Sequence, residues 1–372
     1  MLMAAAVLTV GELIDGRYRI LSQIGRGGQS LVYLAVNEHT GKKCALKQLR
    51  PDLPEPALAR RSFRSELVLL KELRHPCIPA ILDVIDAEER SPVIVMEYIE
   101  GRTLSVLLRE QGAQPQDMVV SWCLSLCGIL EYLHTRTPPV IYCDLKPGNI
   151  ILRADGTVAL VDFGAAIRTE SGAGSGVSLG TRSFAAPEQL REGSRIDRRT
   201  DIYAFGLTLF SLLTGSLPSA YPNGLPAVRR CDPALSTTLE HIIQKCIRPL
   251  PAARYSSVRE IRPLLISYRS RDRMLRIRTL TLRSAGWSAF AAGVVLAIAI
   301  GLLARTHIAS ASESSPPAPE EQTLSPEELE FYLDLSRRIR DDTPALLKAG
   351  VEKEELEEIL RYIVEQLEEQ EK

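Results

Sequence analysis

From Ser284 to Ala304 the chain carries no charged residue, reading SAGWSAFAAGVVLAIAIGLLA. About 20 apolar residues at 1.5 Å rise match the ~30 Å hydrocarbon core of a bilayer. A core helix of that length usually keeps a polar face, so the pattern predicts one membrane-crossing helix over 285–304. Elsewhere apolar and polar positions interleave. Tyr18–Ile20, Leu31–Val36 and Cys44–Leu49 read as strands, and Ile150–Leu152 as a shorter one. Phe63-Arg64-Ser65-Glu66 opens a helix with Leu67, Leu70 and Leu73 on one side. Beyond the apolar run, Ser310–Glu321 has the Ser/Pro/Ala/Glu composition of a linker. Ser325-Pro326-Glu327-Glu328 then resembles a capped helix start. Leu356, Leu360, Ile363 and Leu367 make one amphipathic stripe whose other face is densely acidic. The opening MLMAAAVLTVGEL is apolar but short and lacks a basic flank, so it reads as a loose tail rather than a signal peptide.

Composition and charge sharpen this division. The 372 residues are 45% apolar and 24% charged, ample for a folded core. The net charge of −1 excludes bulk nucleic-acid binding. It also hides an asymmetry: 18 acidic and 7 basic residues after Arg305 leave that piece at −11 and the rest at +10. Arg269, Arg271, Arg273, Arg276, Arg278 and Arg283 precede the apolar run, and only Arg305 and His307 follow it closely. The positive-inside rule therefore puts the N-terminal piece in the cytoplasm and the C-terminus outside, with Trp287 at headgroup level. The arginines before the span are expected to meet anionic lipid at ~1 kcal/mol per residue. Ala285, Ala289, Gly293, Ala297 and Gly301 fall four apart; the face with Ala289, Gly293 and Ala297 is a candidate homodimer contact. All seven cysteines precede the span, as free thiols in a reducing compartment would.

The chemistry lies upstream. Between the first two strands stands Ile24-Gly25-Arg26-Gly27-Gly28-Gln29-Ser30-Leu31-Val32. A glycine-rich hairpin lets backbone N–H groups approach phosphates without Cβ obstruction, though many tight turns look alike. Strand Cys44-Ala45-Leu46-Lys47 faces Ala45 and Lys47 the same way. That lysine is either a point charge for phosphates or an ordinary surface cation. Glu66 either pairs with it or is an ordinary solvent-facing helix residue. Asp144, Asn149 and Asp162 bring two carboxylates and an amide to loops flanking short apolar strands. Mg²⁺ takes oxygen ligands of this kind, one or two carboxylates beside phosphates.

The ordered series resembles the eukaryotic-type (Hanks-type) serine/threonine protein kinases, as bacterial transmembrane members of that family are built. Its further motifs are Tyr142-Cys143-Asp144-Leu145-Lys146-Pro147-Gly148-Asn149, Val161-Asp162-Phe163-Gly164, Ala185-Ala186-Pro187-Glu188, Asp201 and Arg254. The resemblance implies an α+β, two-lobe fold over 18–267: an antiparallel sheet with one helix, then a mainly helical lobe. Around it the expected pieces are a tail 1–17, a basic juxtamembrane segment 268–284, the span 285–304, a linker 305–324 and an acidic helical extracytoplasmic region 325–372. It implies a non-specific serine/threonine protein kinase moving the ATP γ-phosphoryl group to Ser/Thr hydroxyls of protein substrates. Ile24, Gly25, Gly27, Gly28, Val32 and Ala45 would surround ATP, with Ile151 below. Lys47 would hold the phosphates, locked by Glu66. Met96 would be the gatekeeper, and Glu97 and Ile99 the hinge. Asp144 would orient the substrate hydroxyl and Lys146 steady the γ-phosphate. Asn149 and Asp162 would ligate Mg²⁺. Thr181 would bridge to Asp144, Asp201 anchor the catalytic loop, and Glu188 pair with buried Arg254. The readings that compete are an ATP-binding scaffold without transfer and a small-molecule kinase of related fold.

Two departures matter. Ser30 replaces the third glycine. Tyr142-Cys143 stands where the family has His-Arg, and that arginine pairs with an activation-loop phosphate. Cys143 cannot do so, so activity is not expected to depend strictly on that phosphate. Thr169, Ser171, Ser175 and Ser178 are autophosphorylation candidates. Tyr142 is expected to fill an apolar slot beside Phe163.

Overall fold

The computed structural model describes residues 7–53, 56–85, 92–169, 182–222 and 224–274, with isolated helical positions at Leu333, Ser336, Arg337, Glu357, Leu360, Arg361 and Val364. The apolar span, its small-residue stripe, the linker, the helix start at Ser325 and Thr181, Ser171, Ser175 and Ser178 lie outside the described residues. Among the described residues no helix is long and apolar enough to cross a membrane.

The first lobe is a six-stranded antiparallel sheet: β1 (Leu13–Ile14), β2 (Tyr18–Arg26), β3 (Ser30–Asn37), β4 (Lys43–Leu49), β5 (Ile81–Ile85) and β6 (Val93–Glu97), in the order β1-β2-β3-β4-β6-β5. Pairing sets its two faces. Tyr33, Leu46 and Val95 align across three strands, and with Ile20 and Ala35 they form an outer core. Val32, Lys47 and Ile94 align on the other face, as do Leu34, Ala45 and Met96. Directly opposed residues share a face, so the inner face carries Val32, Ala45, Lys47 and Met96 together.

Helix α1 (Pro56–Glu72) packs Ala59 and Phe63 against Leu49 and Ile94 of that sheet. It starts seven residues before Phe63, because Pro56 has the fixed φ suited to a first helical turn. From residue 7 onward the N-terminal stretch is built into the lobe rather than lying as a loose tail. Leu8 and Ile14 are buried in the outer core, and Gly11 N–H bonds the carbonyl of Ile20. Leu8 and Ile14 thus cover part of the outer face of the sheet.

The second lobe follows β7 (Arg102–Thr103): α2 (Leu104–Gln111), α3 (Gln116–His134), β8 (Val140–Ile141), β9 (Ile150–Leu152), β10 (Val158–Leu160), β11 (Ile167–Arg168), α4 (Arg198–Thr214), α5 (Val228–Cys231), α6 (Thr237–Cys246) and α7 (Val258–Ile266). Its core centres on α3 and α4, where Leu126, Ile129, Leu130, Phe205, Leu209 and Phe210 are fully buried. Leu69 and Leu70 of α1, and Leu73 just past its end, join this core. One helix thus touches both lobes, and a residue on it is positioned by both. Gly206 lets α4 approach α6; a Cβ there would stand 2.5 Å from that of Cys246. All seven cysteines are free thiols, with Cys123 and Cys127 inside α3.

The lobe does not end at 267. Helical residues 268–273 continue it: Tyr268 is buried, Arg269 pairs with Asp117, and Asp272 accepts from Thr238 N–H and its hydroxyl. The first residues of the expected juxtamembrane segment are therefore part of the folded body, and Arg269 already has a protein partner.

Candidate active site

Strand β4 carries Lys47 onto the inner face, where it is only 5% exposed. A buried ammonium needs partners. Lys47 Nζ donates to Glu66 Oε1 at 2.6 Å and Oε2 at 2.7 Å, and to Asp162 Oδ1 at 2.7 Å. Burial alone would lower the Lys47 pKa, but the Glu66 and Asp162 carboxylates outweigh it and hold the amine protonated. Glu66 is buried at mid-length of α1, and Phe163 N–H also bonds its Oε1. Of its two readings, the paired one holds. Burial works to raise the Asp162 carboxyl, yet the neighbouring Lys47 brings it below the ordinary value, so it stays charged.

Two non-glycine residues here adopt left-handed backbone: Cys143 at φ 65° and Asp162 at φ 64°. Such conformations cost about 1–3 kcal/mol and persist only where surroundings impose them. Asp201 imposes the first. Fully buried on α4, it accepts from Tyr142 N–H at 2.9 Å and Cys143 N–H at 2.8 Å, and its Oδ2 bonds His134 Nε2. Gln189 Nε2 donates to the Cys143 carbonyl. The expected anchoring role of Asp201 is met, while His134 and Gln189 are partners that motif spacing did not reveal.

Anchored in this way, the loop presents Asp144. Its Oδ2 accepts from Lys146 Nζ at 2.6 Å and Asn149 Nδ2 at 2.9 Å, and Asn149 Nδ2 donates again to the Asp144 carbonyl at 3.0 Å. Both Nδ2 hydrogens are thus used, so what Asn149 offers a metal is its carbonyl oxygen. With the Asp162 carboxylate that makes two hard oxygen donors, the chemistry Mg²⁺ accepts beside phosphate oxygens. The residues present fit the ion.

The nucleotide side fits as well. Gly27 N–H bonds the Ser30 carbonyl at 2.8 Å and closes the hairpin, while Arg50 Nη1 donates to the Gly28 carbonyl at 3.2 Å. A Cβ on Gly28 would meet nothing within 4 Å. Gly25 pairs with Val32, and its missing Cβ would lie 3.4 Å from that of Val32. Ala45 and Ile99 are buried, Val32, Met96 and Ile151 are half-buried, and Ile24 and Glu97 are exposed. Past the hinge, Gly101 has φ 153°, and a Cβ there would stand 2.2 Å from the Leu152 carbonyl oxygen. Only glycine permits that crossing.

Tyr142 behaves as expected. Its ring meets Phe163 edge-on at 5.1 Å, and its hydroxyl donates to the Val161 carbonyl. Glu188 and Arg254 form the buried, doubly bonded pair, at 2.6 and 2.8 Å. Thr169 keeps its hydroxyl on the Pro139 carbonyl.

A protein kinase domain model matches residues 18–263. The chain belongs to the protein kinase family. Among curated relatives, a probable serine/threonine-protein kinase PknB of Lactococcus lactis is 30% identical, over 72% of this chain and 44% of that protein. Serine/threonine-protein kinase C of Synechocystis is 33% identical, over 68% and 50% respectively. Serine/threonine-protein kinase PrkC of Bacillus subtilis is 32% identical, over 68% and 41%. The chain spans half or less of the length of these relatives. A crystal structure of the Mycobacterium tuberculosis PknI kinase domain, carrying one substitution, superposes with a TM-score of 0.57 at 25% identity, covering 71% of this chain and 99% of that one. This kinase domain is thus of the bacterial serine/threonine type, with the two-lobe architecture expected.

Proposed function

We propose that the protein is a non-specific serine/threonine protein kinase that transfers the γ-phosphoryl group of ATP to hydroxyls of protein substrates and of its own chain. The observation that carries the reading is Lys47 held between Glu66 and Asp162, facing a loop where Lys146 and Asn149 converge on Asp144. Phosphoryl transfer has a loose transition state, so the protein mainly positions groups and neutralises charge. Asp162 and Asn149 would hold Mg²⁺, which supplies positive charge to phosphate oxygens. Lys47, locked by Glu66, places a fixed cation on the inner sheet face, and electrostatic preorganisation of this kind needs no rearrangement during reaction. The Asp144 carboxylate orients the acceptor hydroxyl and takes its proton, with Lys146 beside it as a second cation.

The reading extends to the whole chain. A single span over 285–304 anchors it in the cell membrane, the kinase domain lies in the cytoplasm and residues 325–372 lie outside. Arg276, Arg278 and Arg283 touch anionic lipid, and the Ala289/Gly293/Ala297 face brings two copies together. Purified full-length chain with labelled ATP, Mg²⁺ and a general protein substrate tests the chemistry. Label should appear on Ser/Thr of substrate and enzyme and vanish in Lys47→Ala and Asp162→Ala; retention in both overturns it. Protease protection in sealed vesicles tests the topology: a C-terminal tag should be shielded when the kinase domain is cleaved. In a membrane association reporter, Gly293→Leu should weaken pairing; no change removes the stripe from the account.

A further inference from the structure

Little packing holds the tip of the glycine-rich hairpin. Gly28 has open space where a Cβ would stand, and a Cβ on Gly27 would meet only Ser30, at 3.6 Å or more. Glycine has the most conformational freedom to lose. An unrestrained tip would therefore be ordered only when a ligand arrived, at a cost in affinity. Hydrogen bonds supply the restraint instead. Gly27 N–H closes the turn on the Ser30 carbonyl at 2.8 Å. The three successive carbonyls of Gly27, Gly28 and Gln29 all accept from one residue, Arg50, just past the end of β4. Its Nη1 donates to the first at 3.4 Å and the second at 3.2 Å, and its backbone N–H to the third at 2.9 Å. Within a planar trans peptide the carbonyl and the N–H point opposite ways. Drawing the Gly27 and Gly28 carbonyls toward the guanidinium thus turns the N–H groups of Gly28 and Gln29 away from it.

The guanidinium is itself aimed. Arg50 Nε donates to Asp52 Oδ1 at 2.9 Å and Nη2 to Oδ2 at 2.6 Å, which leaves Nη1 for the hairpin. Forked pairing of this kind fixes orientation as well as charge. Pro51 stands between the two residues, and its ring fixes φ there. The hydrogen bond from Arg50 brings the Asp52 carboxyl down to about 2, so it stays charged throughout the neutral range. The Asp52 side chain is 56% exposed, and an exposed ion pair adds little stability. What the pair contributes is direction.

We propose that Arg50, oriented by Asp52, is a positioning residue that braces the hairpin tip so that its N–H groups are set for the nucleotide phosphates before the nucleotide binds. The proposal rests on the reading of the cleft as an ATP site and adds two residues that were not expected there. Arg50 acts through the hairpin backbone, not by touching the phosphates. Its loss therefore weakens what the phosphates gain on binding and spares what the nucleoside gains.

The test separates the phosphates from the rest of the ligand. Calorimetry on the full-length chain measures the binding of adenosine and of a non-hydrolysable ATP analogue with Mg²⁺. Arg50→Gln should weaken the analogue about 5- to 30-fold, the worth of one or two hydrogen bonds. Adenosine affinity and the melting temperature should stay as in wild type. Arg50→Lys keeps the charge without the fork and should stay close to Arg50→Gln. Asp52→Ala should weaken the analogue too, yet add nothing to Arg50→Gln, because it acts through that residue. Equal analogue affinity in wild type and Arg50→Gln overturns the proposal, as does full recovery in Arg50→Lys or an equal loss for adenosine. Additive losses in the double variant overturn the part given to Asp52. A wild-type chain that binds no analogue overturns this proposal and the ATP reading together, so the wild-type titration tells the two failures apart.

Discussion

Two buried ion clusters, one in the second lobe and one in the cleft, use similar residues to different ends. Arg254 puts both Nη groups on the two oxygens of Glu188. Its remaining protons go to the carbonyls of Arg199, Arg248 and Pro249, and Thr200 donates to Glu188 as well. One charge meets one charge, and the Glu188 side chain is 7% exposed. In the cleft a single ammonium meets two carboxylates, Glu66 and Asp162, and the Asp162 side chain is 47% exposed. That cluster keeps a surplus negative charge open to solvent. A balanced, closed pair holds a fold together. An unbalanced, open one is a place for a cation to arrive.

The comparison breaks most readily at Asp162. Asp162→Asn removes the surplus charge and leaves Lys47 on Glu66. Phosphate incorporation should fall by about 10²–10³-fold or more, while the melting temperature moves only about 1–2 °C. Similar label uptake in both proteins, by phosphor imaging, would show the surplus charge to be idle. Glu188→Ala should do the reverse. An unpaired buried Arg254 costs ~3–5 kcal/mol, or about 6–20 °C in a domain of this size. Calorimetry showing an unchanged transition would refute the architectural role.

Smaller effects sharpen the contrast. Gly101→Ala forces a Cβ toward the Leu152 carbonyl and should destabilise by about 1–3 kcal/mol, read from the urea midpoint; a neutral result would mean that the hinge crossing relaxes freely. The smallest effect is in pH. Burial would raise the Glu188 carboxyl, but Arg254 brings it below its ordinary value. The unfolded chain then binds more protons, so this pair's contribution is complete above about pH 4.3 and is lost as pH falls through the lower folded value. The stability gap between wild type and Glu188→Gln should stay flat from pH 7 to 5 and narrow below pH 4. A gap that widened on acidification would reverse the sign.

Much of this site was legible because it is local. Gly25, Lys47, Asp144, Asn149 and Asp162 announce themselves through short motifs in a fixed order, and the strands around them have period-two patterns. Glu66 was harder, since a charged residue occupies the buried stripe that runs through Ala59, Phe63, Leu70 and Leu73. Periodicity counts it as a break in the apolar face, whereas burial with Lys47 makes it part of that face. His134, Gln189 and the Asp272–Thr238 bonds link residues distant in sequence, and such pairings leave no local signature. Leu8 and Ile14 escaped for a related reason: what buries them is a sheet face assembled from β2, β3, β4 and β6.

The surplus charge in the cleft is most directly tested by binding without turnover. A non-hydrolysable ATP analogue is added to the full-length chain with and without Mg²⁺, and the thermal transition is followed. A ligand that binds only the folded state stabilises it in proportion to its affinity. Wild type should gain a Mg²⁺-dependent rise in melting temperature that Asp162→Asn loses. Equal rises in the two proteins, or a rise indifferent to Mg²⁺, would contradict the assignment of Asp162 as a metal-receiving carboxylate.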